Sequence, residues 1–265
     1  MPRVSSGRQH AHYTEAGTGS PVVMLHSGGM SSRQWGRLSA RLAPKYRALA
    51  MDFLGYGDSA PAGDSFTIAD DLDAAIALVD SLGEPAHVVG HSYGGLIALS
   101  LTRARPSNVR SLAVYEPVAF GVLHSMADAE GLADLGAYGG DSSFGEEPGS
   151  ERWIARFVEY WNGVGAWDAL PAPTRDAFLR VAPKVYLEVA GILTERTPHD
   201  AYRAIAAPTL VMTGERSTTA ARHVAAILAQ VIPDAELQTI EGAGHMGPLT
   251  HADIVNGLIE AHLSR

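Results

Sequence analysis

The sequence predicts an α/β fold: a mostly parallel central sheet with helices on both faces and an inserted helical segment above it. Three observations carry the prediction. Short, continuous apolar runs alternate with longer stretches of helical periodicity. The runs are apolar throughout, as strands covered on both faces must be. And the alternation breaks once, over residues 117–207, where no strand pattern is legible.

In chain order, 8–14 (RQHAHYT) alternates and predicts a more exposed edge strand. Buried strands are predicted at 21–26, 46–51, 86–90, 109–115, 208–213 and 235–240. Helices are predicted at 70–83, where Gly83 is a C-cap, and at 94–105, 219–230 and 252–263. The core is therefore expected from 1–116 and 208–265, and 117–207 is expected to form a helical lid (cap). That segment opens with a Gly- and acid-rich stretch, 131–150, read as partly loop, and carries Trp153, Phe157, Tyr160, Trp161 and Trp167. The plainer alternative is a long helical crossover with an aromatic core.

The 265 residues are enough to bury a core without staples. With 46% hydrophobic and 18% charged residues the chain is globular rather than disordered. Its 20 basic and 29 acidic residues give a net charge of −9 and no basic stripe, which argues against nucleic acid or an anionic membrane as partner. There is no cysteine, so disulfides, a thiol nucleophile and thiolate-held metals are excluded. The opening MPRVSSGRQH lacks an apolar leader core, and no apolar run approaches the roughly 18 residues of a membrane span. A cytoplasmic protein, monomer or homodimer, is expected.

The sharpest local signal is Gly90-His91-Ser92-Tyr93-Gly94-Gly95, between the strand AHVV and the helix GLIALSLTRA. Strand, tight turn and helix are the context in which G-x-S-x-G exposes a nucleophilic serine. The glycines are needed because side chains beside so sharp a turn would collide with strand and helix. His26-Ser27-Gly28-Gly29 follows the strand PVVML. Asp52-Phe53-Leu54-Gly55-Tyr56-Gly57-Asp58-Ser59 follows the strand YRALAM, and Gly242-Ala243-Gly244-His245-Met246 follows the last strand. In this order the motifs resemble those of the α/β-hydrolase family over nearly the whole chain outside the lid.

The resemblance implies Ser92 as nucleophile, His245 as its base, and an oxyanion hole from the N–H groups of Gly28 and Tyr93. Ser27 departs from the family's usual glycine after the histidine. The family most often keeps an acid in the loop after the strand PTLVMT. Here that loop reads Gly214-Glu215-Arg216-Ser217, with serine in the expected aspartate position. Glu116, at the end of VRSLAVY, is the favoured replacement. Some members, haloalkane dehalogenases and zearalenone lactonases among them, carry the acid at the end of this strand. Glu215 and Asp200 are the alternatives, and a strand-end salt bridge is the plainer role for Glu116.

Ser27, Trp153 and Trp161 are candidate substrate contacts, although aromatics at helical spacing are more often core. His91 is expected to pack. His10 and His12 share a strand face but lack a third metal ligand, so no metal or cofactor is implied. The expected function is a serine hydrolase of a small or medium, fairly apolar carboxylic ester or lactone. C–C bond hydrolysis, acyl transfer and perhydrolysis run on the same residues. A ligand-binding protein on a hydrolase scaffold, or an interaction protein using the acidic loop 141–151, are the readings outside enzymology.

Overall fold

The computed structural model describes residues 2–6, 9–63, 65–139 and 147–265. Side-chain alternation organises its middle layer. Val23 and Leu25 pack into one core cluster, Val22 and Met24 into another, and all four are fully buried. Successive side chains of a strand point to opposite faces, so an unbroken apolar run supplies two cores at once.

The strands are β1 (Arg3–Ser6), β2 (Gln9–Ala16), β3 (Ser20–Leu25), β4 (Tyr46–Met51), β5 (Ala86–His91), β6 (Val109–Tyr115), β7 (Thr209–Gly214) and β8 (Ala235–Ile240). They form one sheet in the order β1-β2-β4-β3-β5-β6-β7-β8. The β1–β2 and β2–β4 pairs are antiparallel, and every other pair is parallel. The expected edge strand at 8–14 is thus β2, and β1 extends the edge beyond what the sequence predicted.

The helices are α1 (Gly36–Leu42), α2 (Ile68–Asp80), α3 (Tyr93–Ala104), α4 (Gly121–Ser125), α5 (Ala129–Gly139), α6 (Glu151–Asn162), α7 (Ala166–Ala169), α8 (Ala172–Thr194), α9 (Thr219–Val231), α10 (Gly247–Thr250) and α11 (Ala252–Leu263). Leu38 and Leu42 of α1 join Val255 and Ile259 of α11 against Val22 and Met24. Residues of α2, α3 and α9 cover the other face. Helix α2 starts two residues before the predicted 70 because Thr67 and Asp70 form a capping box, with the Thr67 N–H donating to Asp70 Oδ2 at 2.7 Å.

Between β6 and β7 the described residues form helices α4–α8 and a 3-10 turn (His199–Ala204), with no strand among them. Part of the stretch read as loop from 131 is helical, since α5 reaches Gly139. Residues 141–146 of the acidic loop lie outside the described residues. Among the described residues no helix is long and apolar enough to cross a membrane.

Candidate active site

The loops that follow β3, β5, β6, β7 and β8 meet at the C-terminal rim of the parallel sheet. Ligands of open α/β sheets bind at this rim. Ser92 sits between β5 and α3 at φ 55° and ψ −116°, a region costly for a residue with a side chain. The surrounding structure enforces it. The Ser92 N–H donates to Tyr115 O at 2.9 Å, and Leu96 N–H donates to Ser92 O at 3.1 Å. A Cβ on Gly90 would run into the Gly94 backbone, and one on Gly94 into the Leu25 backbone. Both glycines are therefore demanded by packing.

Ser92 Oγ lies 3.0 Å from His245 Nε2, and His245 Nδ1 lies 2.7 Å from Glu116 Oε2. All three residues are buried. Glu116 follows β6 at φ 44°, the second polar residue of the site held in the left-handed region. Its other oxygen, Oε1, accepts from Gly214 N–H at 2.7 Å, from Thr213 Oγ1–H at 3.1 Å and from the Ser217 hydroxyl. Burial alone would raise the Glu116 carboxyl. The hydrogen bond and charge of His245, with the Gly214 and Ser217 bonds, outweigh that and hold it below the usual carboxylate range. Ser217, where the resemblance led one to expect an acid, instead donates its hydroxyl to the Glu116 carboxylate. Glu215 is exposed and accepts from Gly242 N–H at 2.9 Å. Asp200 lies in the 3-10 turn before β7.

A second hydrogen-bonded chain fixes the loop after β3. The Ser27 N–H donates to Gln34 Oε1 at 3.0 Å. Gln34 Nε2 donates to His91 Nδ1 at 3.1 Å, and His91 Nε2–H donates to the His245 carbonyl at 2.9 Å. Burial, with His245 close by, pushes the His91 pKa well down, so the ring is neutral and serves as both donor and acceptor. His91 thus does more than pack: it ties the loop bearing Gly28 to the loop bearing His245. His26 is likewise neutral, its pKa lowered to about 4 by burial. It donates from Nδ1 to Ser27 O at 2.8 Å and accepts from Phe53 N–H at 3.1 Å. The Gly29 N–H goes to Tyr56 Oη at 3.1 Å. Gly28 is therefore held between two tied neighbours. Tyr93 opens α3, so its N–H has no acceptor within the helix.

Gly28, Ser92 and Tyr93 line a narrow cavity of about 30 Å³, whose remaining walls are mainly apolar and come largely from the helices between β6 and β7. Trp161 is one of these walls. Its ring stacks on His245 at 3.7 Å between centroids and 20° between planes. Beyond Trp161 a more open cleft is lined by Tyr160, Ser217, His245, Met246 and His251. Trp153, eight residues earlier on α6, is not in the cavity wall but packs against Phe157 and Tyr186. Ser27 also stays behind the wall, its backbone engaged with Gln34 and His26. His12 bonds Asp52 Oδ2 at 2.8 Å, while His10 contacts Ser5. Among the described residues no three metal-binding side chains cluster.

Sequence reasoning missed a buried polar cluster beside this cavity. Lys184 and Glu188, one turn apart on α8, are 6% and 1% exposed. Lys184 Nζ reaches Asp71 Oδ2 at 2.8 Å and Glu188 Oε1 at 3.0 Å. The signal was present in the sequence: a Lys–Glu pair interrupts the apolar spacing of Val181, Val185, Val189 and Ile192.

The model of the alpha/beta hydrolase family matches residues 22–258. Pimeloyl-[acyl-carrier protein] methyl ester esterase of Chromobacterium violaceum is 30% identical over 92% of this chain and 94% of that protein. 2-Hydroxymuconate semialdehyde hydrolase of Pseudomonas putida is 27% identical over 94% of this chain and 89% of that protein. The solved structure of Est816, described as an N-acyl homoserine lactone degrading enzyme, superposes with a TM-score of 0.77 at 23% identity over 98% of this chain and 99% of that one.

Proposed function

The chain belongs to the α/β-hydrolase family and is a hydrolase, and we propose that it cleaves a small or medium, fairly apolar carboxylic ester or lactone through an acyl-enzyme on Ser92. The observation that carries this reading is the hydrogen-bonded line Glu116–His245–Ser92 ending at the strained turn.

The chemistry follows from the distances. His245 donates its Nδ1 proton to Glu116, which leaves Nε2 as an acceptor 3.0 Å from the Ser92 hydroxyl. As Oγ attacks the carbonyl carbon, His245 takes the hydroxyl proton, and Glu116 stabilises the imidazolium. The carbonyl oxygen becomes an oxyanion facing the N–H groups of Gly28 and Tyr93. The tetrahedral intermediate collapses, and His245 gives its proton to the departing alkoxide. Water then enters, loses a proton to His245 and attacks the acyl carbon, releasing the acid and restoring Ser92. At about 30 Å³ the cavity holds only a water or two. Helices α6 and α8 must therefore shift to admit an acyl group, as a lid would.

The semialdehyde named for the Pseudomonas putida relative favours a second reading, hydrolysis of a C–C bond beside a carbonyl on the same residues. Steady hydrolysis of p-nitrophenyl butyrate by the wild type, absent in Ser92→Ala, is the result expected from the ester reading. Undiminished turnover in Ser92→Ala would overturn both readings.

A further inference from the structure

The walls of the cavity beside Ser92 are mainly apolar, and Glu188 is the one carboxyl among the described residues that line it. Its Oε1 is engaged with Lys184, and its Oε2 accepts from Tyr56 Oη–H at 2.9 Å. Oε2 also stands directly against the oxyanion loop: a Cβ built on Gly28 would lie 2.7 Å from it. A carboxylate oxygen accepts two hydrogen bonds, and Tyr56 supplies one. Nothing in apolar packing calls for a carboxyl here, and burying one is costly unless its acceptors are filled. Trp161, another wall residue, has a buried indole N–H without a partner among the described residues.

Which half of the substrate enters this cavity follows from proton transfer. His245 protonates the leaving group, so that group lies on the His245 side. That side is the open cleft lined by His245 and Ser217. The narrower cavity lined by Ser92, Gly28 and Glu188 then receives the acyl chain.

Resting on the acyl-enzyme reading above, we propose that Glu188 is the specificity-determining residue of the acyl pocket and accepts a hydrogen bond from a hydroxyl on the carbons next to the scissile carbonyl. The preferred substrates are hydroxyacyl esters or hydroxylactones, rather than plain aliphatic ones. The charge balance selects a neutral donor. Glu188 and Asp71 share a single cation, Lys184, so a substrate carboxylate in this place is repelled.

The groups facing Glu188 come from three further elements as well as its own helix. Lys184 lies on α8, Asp71 on α2, Tyr56 on the loop after β4, and Tyr93 at the start of α3 bonds Asp71 at 2.8 Å. Burial pushes the Glu188 carboxyl up to about 7 against the pull of Lys184, with Asp71 adding to the push. Glu188 is accordingly a stronger acceptor above neutrality than below it.

The test is a pH-stat comparison of methyl butyrate with racemic methyl 2-hydroxybutyrate and methyl 3-hydroxybutyrate, using wild type and Glu188→Gln. The wild type is expected to favour one hydroxy ester by at least about tenfold in kcat/KM, the usual effect of a hydrogen bond to a charged acceptor. That preference is expected to grow from pH 6 to pH 8 and to collapse towards unity in the variant. The wild-type ratio and its pH trend decide the matter even if Glu188→Gln does not fold. Turnover of all three esters at similar kcat/KM overturns the inference and leaves the serine hydrolase reading standing. A preference unchanged in folded Glu188→Gln also overturns it. No turnover of any of the three esters overturns both.

Discussion

Replacing Glu116 by glutamine exchanges one carboxylate oxygen for an NH2 group and is expected to cost most of the activity. The side chain must present one oxygen and one NH2 group where the carboxylate presents two acceptors. Oε1 receives three donors, of which the Gly214 N–H at 2.7 Å is fixed at the end of β7 and cannot turn away. The amide oxygen is therefore forced into that place, and the NH2 group faces His245 Nδ1. A ring that accepts at Nδ1 carries its proton on Nε2, so it can no longer take the proton of Ser92 3.0 Å away. The variant also lacks the charge opposite the imidazolium. Wrong-tautomer and lost-charge effects of this kind lower kcat by about 10²–10⁴, or roughly 3–5.5 kcal/mol of barrier. The assay is steady-state hydrolysis of p-nitrophenyl butyrate, with circular dichroism to verify the fold. A folded Glu116→Gln enzyme within tenfold of wild-type kcat would refute this reasoning.

Other outcomes follow from the same contacts. Ser217→Ala removes one of three donors from Glu116 Oε1 and is expected to lower kcat less than about tenfold, while Glu215→Gln leaves it unchanged. A larger loss in Glu215→Gln than in Glu116→Gln would reassign the acid. Glu188 has its carboxyl raised from 4.5 to about 7 by burial, so between those values the folded chain keeps a proton that the unfolded chain releases. Its contribution to stability is full below pH 4.5 and is lost as pH rises to 7, a difference of roughly 3 kcal/mol. Glu188→Gln should therefore gain about that much stability relative to wild type from pH 4.5 to pH 7, read from urea midpoints; a constant difference across this range would contradict the assignment.

What the sequence made legible was local. The elbow was readable because Gly90 and Gly94 flank Ser92 within one turn; Gly90 is needed against its chain neighbours Gly94 and Gly95, although the contact that demands Gly94 is with the distant Leu25 backbone. The strands were readable because burial on both faces leaves an unbroken apolar run. Glu116 was reached only through the serine at 217, which removed the acid from its usual place. The rest depends on contacts across long sequence separations. His91 joins Gln34 to His245, and Glu188 meets Tyr56 and Gly28, through pairings that no periodicity encodes. Trp153 and Trp161 share a helix and looked alike in the sequence. Eight residues place them about 80° apart around the helix axis, enough to send one into the packing of α6 on α8 and the other onto His245.

The central claim is that Ser92 is a nucleophile activated by His245. A fluorophosphonate probe followed by peptide mass spectrometry tests it most directly. One equivalent of label on the peptide containing Ser92, lost in Ser92→Ala and slowed strongly in His245→Ala, is the expected result. Label on another residue, or a folded wild type that takes up none, would contradict it.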